Sequence, residues 1–132
     1  VQKAVQAGIG ATVTLDVGGR SDPMYGPPVT ITGKVGVISE DKQSVRIDIK
    51  GIVLLINSDR HGPNSLGRPH AMGIYPEKFR MSLCKGGFAF RPAYPADKFN
   101  YIMAETPGYS STNLKQFKYT KIRRPIYPLD DI

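Results

Sequence analysis

One cysteine, two histidines, no tryptophan and no long apolar run occur in this sequence, and each scarcity removes a class of protein. Cys84 has no partner within the chain, which excludes a disulfide framework and points to a reducing compartment, the cytoplasm. The longest apolar run, Gly51-Ile-Val-Leu-Leu-Ile56, falls far short of the ~18 residues of a membrane span and has the length of a buried strand. No membrane association is therefore expected. His61 and His70 lie in a loop-like stretch with Asp59 close to the first, and no His-Glu-x-x-His pattern occurs. The two read as solvated histidines, so no metal site and no cofactor is expected within this chain. Acids are scarce as well, 11 against 18 Lys+Arg, for a net charge of +7 and a pI near 9.6.

What is present is enough for one domain over residues 1–132, with 40% hydrophobic and 22% charged residues. Val1 in place of Met, without a targeting pattern after it, reads as a piece of a longer protein. Fourteen glycines and eleven prolines call for many turns and short elements. Strict alternation from Ala11 to Val17, with Val13, Leu15 and Val17 on one face, predicts a half-buried strand. A second strand follows over Val29 to Ile38, with Val29, Ile31, Gly33, Val35 and Val37 sharing a face. A third carries Val45, Ile47 and Ile49 inward. The unbroken Ile52-Val-Leu-Leu-Ile56 predicts a central strand covered on both faces. After a long loop with one helical turn near Leu66 to Met72, Phe79 to Leu83 and Tyr101 to Ala104 read as strands joined by a crossover over Phe88 to Lys98. Ser111 or Thr112 is placed to cap a short helix over Asn113 to Phe117. The fold class expected is α+β: a mostly antiparallel sheet of about four strands, then a small β-α-β unit and an extended C-terminal tail through Pro125 and Pro128.

Few residues promise chemistry. Cys84 beside Lys85 reads as a small apolar-strand residue rather than a nucleophile, since no histidine is near in sequence. Glu40-Asp41 and Asp130-Asp131 read as solvated acids in a turn and at the terminus. Gly8-Ile-Gly10 lacks the third glycine of a dinucleotide fingerprint, and a strand follows it where a helix is needed. Lys85-Gly86-Gly87 is better placed, because after a strand its lysine and backbone N–H groups suit an anion or carboxylate; a plain tight turn is the alternative. Lys115 to Arg124 carries five basic residues with Phe117 and Tyr119 between them. It reads as a cover strand with lysines outward, the alternative being a free-standing basic module for nucleic acid or another polyanion. A self-sufficient enzyme using Cys84 and the Lys85-Gly86-Gly87 turn is a third reading.

Four blocks in order, Ala7-Gly-Ile-Gly-Ala-Thr-Val-Thr-Leu-Asp-Val-Gly-Gly19, Gly26-Pro-Pro-Val-Thr-Ile-Thr-Gly33, Ala104-Glu-Thr-Pro-Gly108 and Arg123-Arg-Pro-Ile-Tyr-Pro-Leu-Asp130, resemble the C-terminal domain of the microcystin-degradation protein MlrC family. Met72-Gly-Ile-Tyr-Pro76 resembles the family's turn before its late strand, and Lys85, Phe90 and Arg91 its Lys-small-x-x-x-Phe-Arg segment. The resemblance implies the C-terminal part of a zinc metallopeptidase-like protein, with zinc and catalytic residues in a larger N-terminal domain. That domain is the partner implied, and a peptide is the implied substrate class. Ala89 stands where many members carry a histidine, so microcystin itself is not implied. Lys85, Gly86, Gly87, Phe90 and Arg91 are the candidates for a substrate or domain interface, and this chain alone is read as non-catalytic.

Overall fold

The computed structural model describes residues 1–19, 22–59, 61–106, 111 and 113–132. A short helix, α1 (Gln2–Ala7), leads into four strands, β1 (Thr12–Val17), β2 (Val29–Ile38), β3 (Ser44–Ile49) and β4 (Ile52–Asn57), and then into a second short helix, α2 (Gly67–Ala71). The strands form one antiparallel sheet in chain order, β1-β2-β3-β4. Each alternating sequence folds where its period places it, because every second residue shares a face of the pleat. Leu15, Val35, Val45 and Ile47 meet on one face and are buried with Ala4 of α1. The helix was not expected from the sequence. Val1, Ala4 and Val5 provide its packing face at i, i+3 and i+4, too short a pattern to read without the sheet beneath it. No helix among the described residues is long and apolar enough to cross a membrane.

Two expectations about the sheet are corrected. Pairing passes from Val35↔Ile47 to Val37↔Arg46, a bulge at Gly36 that adds one residue to β2. The alternation flips there, so Ile38 rather than Val37 packs against the core. The strand β4 is an edge and not a central strand; Leu54 and Ile56 contribute to the core, whereas Ile52 is 60% exposed. Its position follows from the tight turn at Lys50-Gly51, with Gly51 at φ 77°, which sends β4 back beside β3 with nothing following to flank it.

The second half departs further. Neither Phe79 to Leu83 nor Tyr101 to Ala104 is a strand, and residues 80–87 and 100–106 enter no backbone–backbone hydrogen bond among the described residues. The β-α-β unit is therefore absent among the described residues. The crossover is instead a chain of turns: Tyr94 N–H bonds to Phe90 O at 3.1 Å and Phe99 N–H to Pro95 O at 3.1 Å. The expected turn near Leu66 to Met72 does form, as α2. Ser111 Oγ accepts from Asn113 N–H at 2.9 Å ahead of a 3₁₀ turn, Leu114–Gln116. Thr112, the other cap candidate, and Pro107-Gly108 of the resemblance lie outside the described residues. No cover strand forms over 115–124. The C-terminal tail curls rather than extends: Asp130 pairs with Arg124 and accepts from Ile126 N–H at 2.7 Å. Asp130 is thus not the solvated acid its terminal position suggested.

Candidate functional site

The candidate residues of the arm, residues 79–106, are held by separate contacts. Lys85 lies over the Tyr25 ring with its Nζ 4.6 Å from the centroid, so a cation–π contact ties the arm to the loop after β1. Gly86 has φ 153°, and a Cβ there would come within 3.1 Å of the Pro63 ring, tighter than ordinary contact, so glycine suits this approach. Gly87 faces open space. Phe90 packs edge-on to Tyr101 at 5.0 Å and near Tyr94 at 6.4 Å, which makes it the centre of a small aromatic cluster. Arg91 points outward with its guanidinium 4.6 Å over Phe88 and makes no salt bridge among the described residues. Lys85 and Arg91 are thus the two arm cations whose charge is stacked on an aromatic ring rather than neutralised.

Cys84 is half-buried beside Tyr94. Burial first, and a hydrogen bond with the Cys84 thiol second, push the Tyr94 phenol well above its ordinary pKa. The thiol has a phenol beside it and no base, an arrangement for packing rather than nucleophilic attack. In the basic C-terminal stretch Phe117 and Tyr119 meet edge-to-face at 6.3 Å, so each ring has the other as its partner.

A second constellation, centred on Arg68 of α2, escaped the sequence reading. Arg68 Nη1 donates to the hydroxyl of Ser44, which is fully buried on β3 and in turn donates to Asn57 Oδ1 at 2.7 Å. Arg68 Nη2 lies 2.8 Å from His61 Nε2, 3.6 Å from Asp59 Oδ2 and 3.8 Å from Asp41 Oδ2. A guanidinium only donates, so Nε2 accepts and the Nδ1–H of His61 donates to Asp59 Oδ2 at 2.9 Å. His61 is therefore held on both sides while remaining exposed to solvent, as expected, and His70, exposed as well, stacks on Tyr75 at 5.2 Å. These side chains do not fit a metal ion, because the Arg68 cation occupies the face of Nε2 that a ligand would need. Among the described residues no group of three or more His, Cys, Asp or Glu is placed to hold one. Every buried side-chain polar atom described has a hydrogen-bond partner.

At the edge of this cluster the Ser39 hydroxyl and then the Gln43 N–H, which bonds at 2.9 Å, hold the Asp41 carboxyl below its ordinary value of 3.8; Arg68 and His61 add to the effect against a dehydration penalty. A carboxylate with a lowered folded pKa stabilises the fold above its unfolded pKa and loses that contribution as pH falls through the folded one. Asp41→Asn should accordingly flatten the acid limb of stability below pH 3.8. Denaturant unfolding of both proteins across that limb checks this, and parallel losses would remove Asp41 from the acid response.

Comparison with family models matches residues 1–121 to the family described as MlrC C-terminus. Comparison with curated proteins returns no match. The matched span takes in the whole sheet, the Arg68 cluster and the arm with Lys85, Phe90 and Arg91, and leaves out residues 122–132, which hold the Arg123-to-Asp130 block of the resemblance. With the match covering nearly all of its length, the chain belongs to the MlrC C-terminal family.

Proposed function

We propose that this chain is a non-catalytic accessory domain of an MlrC-like hydrolase, docked by its arm against the catalytic domain of the same protein and lining one wall of its cleft. The observation that carries the reading is the exposure of the arm's apolar side chains: Met81, Leu83 and Ile102 are 74%, 90% and 85% exposed. Phe88 and Met103 lie on the same arm, also exposed. So many large apolar groups in water mark a surface built to be covered. Its charge favours an acidic partner, since residues 79–132 hold nine of the Lys+Arg and four of the Asp+Glu. On that surface Arg91, stacked on Phe88, is free to clamp a carboxylate bidentately, either a peptide terminus or an acid of the neighbouring domain, which lysine does not reproduce. Zinc, in this reading, is held by the preceding domain, and no step of the chemistry runs through residues of this one.

The test uses the full-length parent with linear peptides as substrates. Leu83→Asp should lower both activity and Tm by placing a charge in the covered contact; Leu83 has almost no packing within this chain, so the loss reports the neighbouring domain. Arg91→Lys should lower kcat/KM about ten-fold, one charge-assisted bond of ~1.5 to 3 kcal/mol weakened or lost, with Tm nearly unchanged. A Leu83→Asp parent with unchanged Tm and activity would mean that the arm is not the contact.

A further inference from the structure

The two edges of the sheet are built differently. The outer face of β1 carries Thr12, Thr14 and Asp16, tied to β2 by Thr14–Thr32 and Thr30–Asp16 hydrogen bonds of 2.9 and 2.7 Å. The other edge, β4, reads Ile52-Val-Leu-Leu-Ile56, with no charge, proline or bulge on either face. Proteins protect exposed edges with such features, and an edge without them is one that another strand covers.

The hydrogen-bond phase of β4 is set by Ser58 N–H, which bonds to Gln43 O at 2.9 Å. In an antiparallel ladder bonded pairs alternate with non-bonded ones, so Ile52, Leu54 and Ile56 turn their backbone groups to β3. Val53, Leu55 and Asn57 therefore turn theirs outward, and these have no backbone partner among the described residues. A strand added here must match outward residue to outward residue.

The sequence of β4 is nearly the same read backwards, and one register uses that symmetry. Antiparallel pairing of two copies about Leu54 sets Val53 against Leu55, Ile52 against Ile56 and Leu54 against itself. The outward phase is satisfied, and the Lys50 end of each strand lies against the Ser58-Asp59 end of the other, opposite charges at both ends. Centring on Leu55 instead places Ile52 against Ser58 and Val53 against Asn57; centring on Val53 places Lys50 against Ile56. Both set apolar side chains against polar ones. We propose that β4 is a homodimerisation edge, pairing antiparallel about Leu54 with β4 of a second copy to join two four-stranded sheets into one.

The full-length protein tests this by sedimentation across a wide concentration range, which should show a reversible dimer. Val53→Lys sets its ammonium opposite Asp48 within the chain, which the monomer accepts, but brings two cations to the joint edge. It should weaken the dimer by at least about ten-fold. Position is read separately: with Cys84→Ser, Leu54→Cys should give a disulfide-linked dimer under mild oxidation, since facing Cα atoms of a non-bonded pair lie ~4.5 Å apart. Mass spectrometry should find the Leu54→Cys peptide linked to itself, whereas Thr14→Cys on the other edge should give no such product. A strictly monomeric protein, a dimer indifferent to Val53→Lys in a folded variant, or a link from position 54 to any other peptide overturns the proposal. If Val53→Lys fails to fold, the cross-link alone decides.

Discussion

Ile47→Ala should destabilise the chain by about 2–5 kcal/mol, the usual range for truncating a fully buried aliphatic side chain. Ile47 is the largest of the completely buried side chains among the described residues, at the middle of β3 where it faces Val35 of β2 and Leu54 of β4. The lost methylene and methyl groups leave a cavity bounded by backbone on both sides, and a sheet cannot collapse into it without breaking register. A Tm lower by about 10 °C or more corresponds to that loss in a domain of this size. Val29→Ala on the neighbouring strand β2 is the control: Val29 is 58% exposed, and its truncation should cost about 0.5 kcal/mol or less. Equal losses at the two positions in thermal or denaturant unfolding would show that the core is not centred on β3.

The four strands were legible because period 2 is a local signal, and Val13, Leu15, Val45 and Ile47 report it without help from distant residues. Partner choice is not local. Ile52-Val-Leu-Leu-Ile56 reads as central because each residue is apolar, yet the two-residue turn at Lys50-Gly51 leaves β4 with one neighbour. The bulge at Gly36 was hidden for the same reason, since a glycine within an alternating run keeps the pattern on paper while shifting the pairing. In the arm, Phe79 to Leu83 has apolar content, yet it pairs with neither edge of the sheet, β1 or β4, and apolar content alone does not show whether a segment finds a ladder to join.

Of the site, the sequence showed Lys85, Gly86, Phe90 and Arg91 as positions and nothing of their contacts. That Lys85 rests on Tyr25 and Gly86 on Pro63 depends on loops brought together across the fold. The Arg68 cluster left even less trace. Its members, Asp41, Ser44, Asn57, Asp59, His61 and Arg68, come from a turn, two strands, a loop and a helix, with no motif spacing among them. The one available hint was compositional: Arg68 sits in α2 between Gly67 and Pro69, where a long side chain has few local partners.

Arg68→Met should cost about 2 kcal/mol, and the reasoning runs through one hydroxyl. The Ser44 Oγ is buried on β3, where it accepts a hydrogen bond from Arg68 and donates one to Asn57 Oδ1. Methionine keeps the apolar stem of Arg68 and removes the donor; a hydrogen bond to a charged group is worth roughly 1.5–3 kcal/mol. The ion pairs at 3.6 and 3.8 Å add little, because Asp59 and Asp41 are 38% and 53% exposed and water screens them. Ser44→Ala removes the acceptor instead, so the double variant should lose less than the two single losses together, with a coupling of about 0.5–3 kcal/mol. Arg68→Lys retains charge but not the two-armed reach to Ser44 and His61, and should fall between wild type and Arg68→Met. Additive losses in the cycle would reduce Arg68 to a surface cation. The Asp41 carboxyl should stay below its ordinary pKa in Arg68→Met, because Ser39 and Gln43 outweigh Arg68 in holding it there.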